Sequence, residues 1–226
     1  LGDIAMIIPV LRSFFNTYPN QKIILVSRGF VEPLFKEFDN LEFIAVDFKN
    51  DFKGLKGLFK LFICLRKKNI KSVADLHNVL RTKILKFFFK LVFVKVQSID
   101  KGRGERKRLI QKKNKKLKPL TPIHYRYCDV FGRLGFPIDL ANHDYPIKPY
   151  LSENSPEQQT LSKKGERKVI GIAPFASFTG KNYPLDLMQN VIAYLQKDHL
   201  ICLFGGGENE LKQIKIWGKA YDNVID

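Results

Sequence analysis

The sequence has no apolar run of membrane-spanning length, no spaced cysteine pairs, no fixed-period repeat and few acidic side chains. Its most apolar stretch, ILKFFFKLVFVKV at 84–96, is interrupted by Lys86, Lys90 and Lys95. It falls short of the about 20 apolar residues a transmembrane helix needs, and it reads as a helix end followed by a buried strand. Cys64, Cys128 and Cys202 are scattered through apolar contexts without metal-ligand or paired spacing. That excludes a disulfide-stapled scaffold and points to a reducing, cytoplasmic setting in which the thiols act as small buried hydrophobes. The missing repeat excludes a solenoid. The acidic shortage is large: 22 Asp and Glu against 39 Lys and Arg, a net charge of +17. Such a surface favours anionic partners, namely nucleic acid, an acidic membrane or phosphorylated small molecules and glycolipids. Much of the excess is local, since KGRGERKRLIQKKNKKLKP at 101–119 carries ten Lys/Arg and one Glu.

What is present is a core-forming composition, 45% hydrophobic in 226 residues, enough for one large domain or two small ones. Segments alternate. Residues 4–18 have helical periodicity, 22–27 read as a strand, 30–38 as a short helix, 41–47 as a strand, 55–69 as a helix and 70–76 as a strand. VLRTKILKFFF then reads as helix, LVFVKVQS (91–98) as strand, and 122–136 as an amphipathic helix closed by Gly135. A polar, Pro- and Ser-containing stretch at 145–168 interrupts the pattern. Alternation resumes with strand 168–174, helix 185–196, strand 199–205, helix 208–219 and a strand starting at NVID. The expected fold is α/β, with parallel βαβ units in two Rossmann-like domains. The expected boundaries are a first domain at 1–150, a linker at 151–167 and the beginning of a second domain at 168–226. Leu1 rather than Met at the start, and an end at NVID, give the further expectation of an internal segment of a longer chain.

In such sheets ligands bind at the carboxyl ends of the strands, and the polar motifs fall there. LGDIAMIIPVL opens the chain: Gly2 permits a sharp turn, and Asp3 is either a helix N-cap or a general base facing a cleft. ADLHNVLRT at 74–82 crowds Asp75, His77, Asn78 and Arg81 into a loop and first helical turn. It is either a structural cap with a surface arginine or a polar wall for a sugar or phosphate. PFASFTGKNYP at 174–184 joins a strand to a helix starting near Pro184. Its free amides, Ser177, Thr179 and Lys181 suit an anion at a helix N-terminus, although the P-loop pattern is absent. LFGGGENE at 203–210 carries three glycines that permit close backbone approach. Glu208 and Glu210 follow, placed for the helix dipole or for a ribose hydroxyl. The G-x-G-x-x-G fingerprint of dinucleotide enzymes is missing, which leaves a nucleotide-sugar epimerase or similar Rossmann enzyme unsupported.

Together LGDIAMIIPVLRSF, DLHNVLRT, IGIAPFASFTGKNYP and FGGGENE resemble glycosyltransferase family 9, the ADP-heptose:lipopolysaccharide heptosyltransferases. The resemblance runs from the family's G-D corner to a point before its C-terminal D-[ST]-G segment. It implies the glycosyltransferase B fold with its C-terminal domain truncated, an inverting transferase, an ADP-sugar donor and no cofactor or metal. It implies an acceptor that is a phosphorylated glycolipid, the lipopolysaccharide core, at the inner face of the bacterial inner membrane, with an anionic membrane surface as partner and no nucleic acid. On that resemblance Asp3 is the catalytic base. Ser177, Thr179, Lys181, Gly206 and Glu210 lie on the donor side; Gly2, His77, Asn78 and Arg81 lie on the acceptor side. Tyr183 stands where the family often has Trp. The 101–119 run would contact anionic lipid. The rival reading from another class is a non-enzymatic basic module binding nucleic acid or anionic membrane; against it, no RNA-binding signature is present and Phe87–Phe89 read as core rather than stacking platforms.

Overall fold

A computed structural model describes residues 2–112, 117–141, 155–162, 165–176 and 178–225. The chain divides into two compact units, Leu1–Pro146 and Ile147–Asp226. In the first unit the order is α1 (Gly2–Ala5), α2 (Ile8–Thr17), β1 (Ile23–Ser27), a 3₁₀ turn (Gly29–Phe35), β2 (Leu41–Ala45), α3 (Gly54–Arg66), β3 (Ser72–Asp75), α4 (Leu80–Leu91), β4 (Lys95–Ser98), α5 (Arg103–Leu109) and α6 (Ile123–Leu134). β1 pairs with β2 and β3 with β4, both in parallel.

The strands are apolar on both faces because helices cover both. Ile23, Leu25, Leu41, Phe43 and Ala74 pack toward α2 and α6, against Val10, Leu11, Phe14, Val130 and Phe131. Their chain neighbours Ile24, Val26, Ile44 and Val73, with Val96 of β4, pack toward α3 and α4, against Leu61, Phe62, Leu65 and Phe89. This period-two division between two covered faces explains why the strands read as near-continuous hydrophobic runs.

Four local expectations are corrected. The helix expected over 4–18 breaks after Ala5, because Pro9 has no N–H for the Ala5 carbonyl and its ring would collide with it. Residues 2–5 form a helical turn of their own, where the sequence suggested only a sharp turn at Gly2. The segment 30–38 forms a 3₁₀ turn around Pro33. The strand expected from 91 starts at Lys95, since α4 runs on to Leu91. That helix is closed by Phe93 in a left-handed conformation (φ 61°), with Phe93 N–H donating to the Lys90 carbonyl and Val94 N–H to Phe89. Nor is the Phe87–Phe89 triplet all core: Phe89 is buried, while Phe87 is 58% exposed. Among the cysteines Cys128 is buried but Cys64, on α3, is exposed.

The second unit holds α7 (Pro156–Ser162), β5 (Lys168–Ile172), a 3₁₀ turn (Thr179–Lys181), α8 (Leu185–Leu195), β6 (His199–Leu203), α9 (Glu208–Ala220) and β7 (Val224–Ile225). Helix α7 lies inside the segment read as a linker. The strands form one parallel sheet in the order β5-β6-β7. Ile192, Ile201, Leu203, Ile214 and the fully buried Trp217 make its core. No helix among the described residues is long and apolar enough to cross a membrane.

Candidate functional site

The polar motifs gather on the carboxyl edges of the parallel strands. In the first unit the organiser is Asp75, the last residue of β3 and 6% exposed. Its Oδ1 accepts the backbone N–H groups of His77 (3.2 Å) and Asn78 (2.7 Å), an Asx turn that reverses the chain ahead of α4. Its Oδ2 accepts the Ser98 hydroxyl at 3.3 Å and faces Lys86 Nζ at 4.0 Å. Asp75 caps this loop rather than the helix. The N-cap of α4 is Val79, whose N–H donates to Thr82 Oγ1 at 2.9 Å.

Asn78 takes a left-handed backbone (φ 43°) and donates from Nδ2 to the Ile99 carbonyl at 3.0 Å, tying the loop to the end of β4. Its Oδ1 is buried without a protein partner among the described residues. His77 is exposed. Arg81 lies with its guanidinium carbon 4.5 Å from the centre of the Phe48 ring.

Two depressions flank this loop. One, about 270 Å³, lies past the ends of β3 and β4 and is lined by Asn78, Lys83, Ser98, Asp100, Lys101 and Arg103. The other, about 300 Å³, lies past β1 and β2, with Arg28, Asp47, Lys49 and Arg81 on its wall. Asp47 is held below the usual carboxylate range, first by the backbone N–H of Lys49 and then by the Asn50 side chain. The basic lining by Lys83, Lys101 and Arg103 escaped the sequence reading of the site. Lys101 and Arg103 stood out only as part of a charge run, and their convergence on Asn78 depends on β4 lying beside β3.

At the chain start Asp3 sits in α1 and is exposed. It does not cap α2, whose N-cap is Ile7. The Tyr127 hydroxyl of α6 donates to the Asp3 carbonyl at 3.0 Å and pins this turn to the body. Burial, and then the nearby Asp3 charge, push the Tyr127 phenol up. The Asp3 carboxylate has no hydrogen bond or ion pair among the described residues. Gly2 has open space where a Cβ would stand.

In the second unit two loops leave adjacent parallel strands. The β5 loop packs Phe175 parallel to Trp217, centroids 6.1 Å apart, and the Ala176 N–H donates to Asn182 Oδ1 at 2.6 Å. Thr179 opens the 3₁₀ turn that ends at Lys181, and Lys181 N–H donates to the Phe178 carbonyl. The Lys181 ammonium is exposed, 5.8 Å from the Phe178 ring centre, and has no carboxylate partner among the described residues. Ser177 lies outside the described residues. Pro184 is the N-cap of α8, one position ahead of its first helical residue.

The β6 loop supplies Gly205–Gly207. A Cβ on Gly205 would stand 2.7 Å from Ile214 Cδ1 and 3.1 Å from the Phe175 ring, so any side chain there must displace the Ile214 end and the ring. Gly207 has φ 92° and is a backbone requirement. Gly206 has neither constraint, and its Cα faces open space. Its N–H donates to Glu210 Oε2 at 2.8 Å, so one oxygen of this carboxylate caps the start of α9. Lys181, Gly206 and Glu210 thus share one sheet edge, with the Phe175–Gly205 contact joining their loops. Among the described residues no group of three His, Cys, Asp or Glu is arranged to hold a metal.

The fold has solved counterparts. A glycosyl transferase family 9 structure from Veillonella parvula superposes with a TM-score of 0.71 at 19% identity, over 99% of this chain and 65% of that one. The E. coli heptosyltransferase WaaC with ADP-2-deoxy-2-fluoro heptose gives 0.68 at 18% identity, over 99% of this chain and 71% of that one. WaaC with ADP gives 0.66 at 16%. These likenesses establish the α/β fold, and the chain spans 65% of the length of the Veillonella structure. No curated protein sequence matches it. The family model for glycosyltransferase family 9 (heptosyltransferase) matches residues 58–222. That span contains the loops after β3, β5 and β6, while the Gly2–Asp3 corner lies outside it. With most of its length matched, the chain belongs to glycosyltransferase family 9, the heptosyltransferase family.

Proposed function

We propose that the protein is an inverting glycosyltransferase that moves a heptose, or a related sugar, from an ADP-sugar to a phosphorylated lipopolysaccharide-core acceptor. The observation that carries this reading is the shared edge of the second sheet. There Lys181, without a carboxylate partner among the described residues, the open backbone of Gly206 and the Glu210 carboxylate lie on loops inside the family-matched span. Residues 168–226 begin the donor domain of a glycosyltransferase B fold, residues 1–150 form the acceptor domain and 151–167 connect them. A WaaC structure holding an ADP-heptose analogue supports the donor class.

In this mechanism the Asp3 carboxylate takes the proton of the acceptor hydroxyl as that oxygen attacks the anomeric carbon. The bond from that carbon to the diphosphate oxygen breaks on the opposite face, which inverts the centre and releases ADP. Lys181, with Ser177 and Thr179, stabilises the charge that grows on the leaving diphosphate, where fixed donors contribute most. Glu210 and Gly206 hold the nucleoside side. Gly2, His77, Asn78 and Arg81 wall the acceptor side, and the neighbouring Lys83, Lys101 and Arg103 suit acceptor phosphates or carboxylates. A surface this basic would work at the cytoplasmic face of an anionic inner membrane, drawn there in part by the 101–119 run.

The test supplies ADP-heptose and a deacylated lipid A–Kdo acceptor and follows ADP release. Release that requires acceptor and yields the inverted anomer supports the reading. Tight nucleic-acid binding without turnover would favour the non-enzymatic module instead.

A further inference from the structure

We infer that the outer face of α3 and α4 is a membrane-insertion surface, in which exposed phenylalanines and leucines enter an anionic lipid interface while flanking lysines hold the headgroups. Leu80, Ile84, Phe87 and Leu91 fall at three- and four-residue spacing and form one stripe of α4. Leu80, Phe87 and Leu91 are each more than half exposed. On α3, Leu55 and Phe59 lie one turn apart and are at least half exposed. The stripes join: Phe59 packs on Phe88 with centroids 5.5 Å apart, and Phe88 lies 6.1 Å from Phe87. Just beyond α4, Phe93 is 97% exposed and sits in a left-handed conformation. That position favours glycine, and a bulky residue there is strained. The left-handed backbone closes α4, but the ring itself is left almost wholly in solvent.

Charge selects the occupant. Between Phe52 and Ile99 the sequence has twelve Lys/Arg and one acid, Asp75, which is buried and paired to Lys86. Lys56, Lys60, Lys83 and Lys90 are exposed beside the apolar stripes, and none is in an ion pair among the described residues. A second copy of this chain would bring the same lysines face to face. Aliphatic Leu55, Leu80 and Leu91 offer nothing for bases to stack on, whereas acyl chains accept both Leu and Phe. An apolar stripe rimmed by lysines lies in the interface plane and binds through buried area plus attraction to anionic lipid. The inference refines the membrane side of the reading above, and it holds or fails independently of catalysis.

The experiment is co-sedimentation of the whole protein with phosphatidylcholine vesicles containing or lacking phosphatidylglycerol. Wild type is expected to bind the anionic vesicles. Phe87→Ser/Leu91→Ser is expected to weaken partitioning about tenfold or more at unchanged charge. Lys83→Gln/Lys90→Gln removes part of the salt dependence. Phe93→Gly relieves strain, so it should raise the melting temperature while lowering vesicle binding, an outcome that misfolding cannot mimic. Because Trp217 is the sole tryptophan and fully buried, Phe93→Trp adds an indole whose emission should shift to the blue on anionic vesicles. Wild-type binding by the apolar variants, no blue shift from the Phe93→Trp indole, or binding lost only with Arg106→Gln/Lys107→Gln/Arg108→Gln in α5 would overturn the inference. So would capture of an acidic protein or nucleic acid with no vesicle binding. Turnover of the deacylated, soluble acceptor should be the same for wild type and Phe93→Gly, which separates failure here from failure of the transferase reading.

Discussion

Replacing Asp75 with alanine removes the acceptor on which the loop between β3 and α4 is built. The carboxylate is 6% exposed and receives two backbone N–H groups at 3.2 and 2.7 Å, with Lys86 at 4.0 Å. The Coulomb attraction at that separation is about 4 kcal/mol at an intermediate dielectric, but desolvation of both charges offsets most of it. Lys86 keeps its 2.6 Å bond to Ser98 and is one-fifth exposed, so it can relax toward water. The lasting loss is the pair of charge-assisted bonds to His77 and Asn78, at about 1.5 kcal/mol each, for a total near 3 kcal/mol. Asp75→Asn retains an acceptor oxygen for Asn78 N–H and should cost about half as much. Urea unfolding followed by far-ultraviolet circular dichroism measures both. An Asp75→Ala protein within about 0.5 kcal/mol of wild type, or an Asn variant as damaged as the Ala variant, would refute the reasoning.

The first two positions of the glycine run separate packing from access. Gly205→Ala drives a methyl into Ile214 and Phe175 and should cost about 1–3 kcal/mol in unfolding free energy. Gly206→Ala meets open space and should leave stability unchanged while weakening ADP binding measured by calorimetry. Lys181→Ala should weaken ADP binding about tenfold or more, with less loss for AMP, because its ammonium is assigned to the diphosphate. Cys64 should react with a thiol reagent in the native protein, whereas Cys128 should stay inert until unfolding. Burial raises the Cys128 thiol from 9.0 to about 11. Between those values the unfolded chain releases a proton that the fold retains, so stability should fall as pH rises from 9 and level off near 11. Cys128→Ala should flatten that slope in pH-dependent melting, leaving smaller same-sign contributions from Tyr127 and Cys202.

The strands of the first unit were legible because helices cover both of their faces, which writes near-continuous apolar runs into the sequence. Helices α3, α6, α8 and α9 were legible through their amphipathic spacing and, for α6, through Gly135 at its end. Events decided by one backbone group were not. Pro9 splits a helix whose apolar periodicity continues across it, and Phe93 ends α4 in a conformation that the sequence around it does not announce. The loops after β3, β5 and β6 were legible as polar motifs at strand ends. Their internal division of labour was not, because periodicity cannot tell that Asp75 rather than His77 is the hub, or that Gly206 is open while Gly205 is packed. Glu210 meets its capping reading, with Oε2 accepting the Gly206 amide.

The central claim, that this chain carries a sugar-transfer site with Asp3 as its base, is tested most directly by acceptor-dependent ADP release with wild type and Asp3→Asn. The account expects kcat to fall about 10³-fold in the variant, with ADP affinity and melting temperature unchanged, since Asp3 is exposed and holds its place through its backbone carbonyl. An Asp3→Asn protein that turns over at the wild-type rate would contradict it.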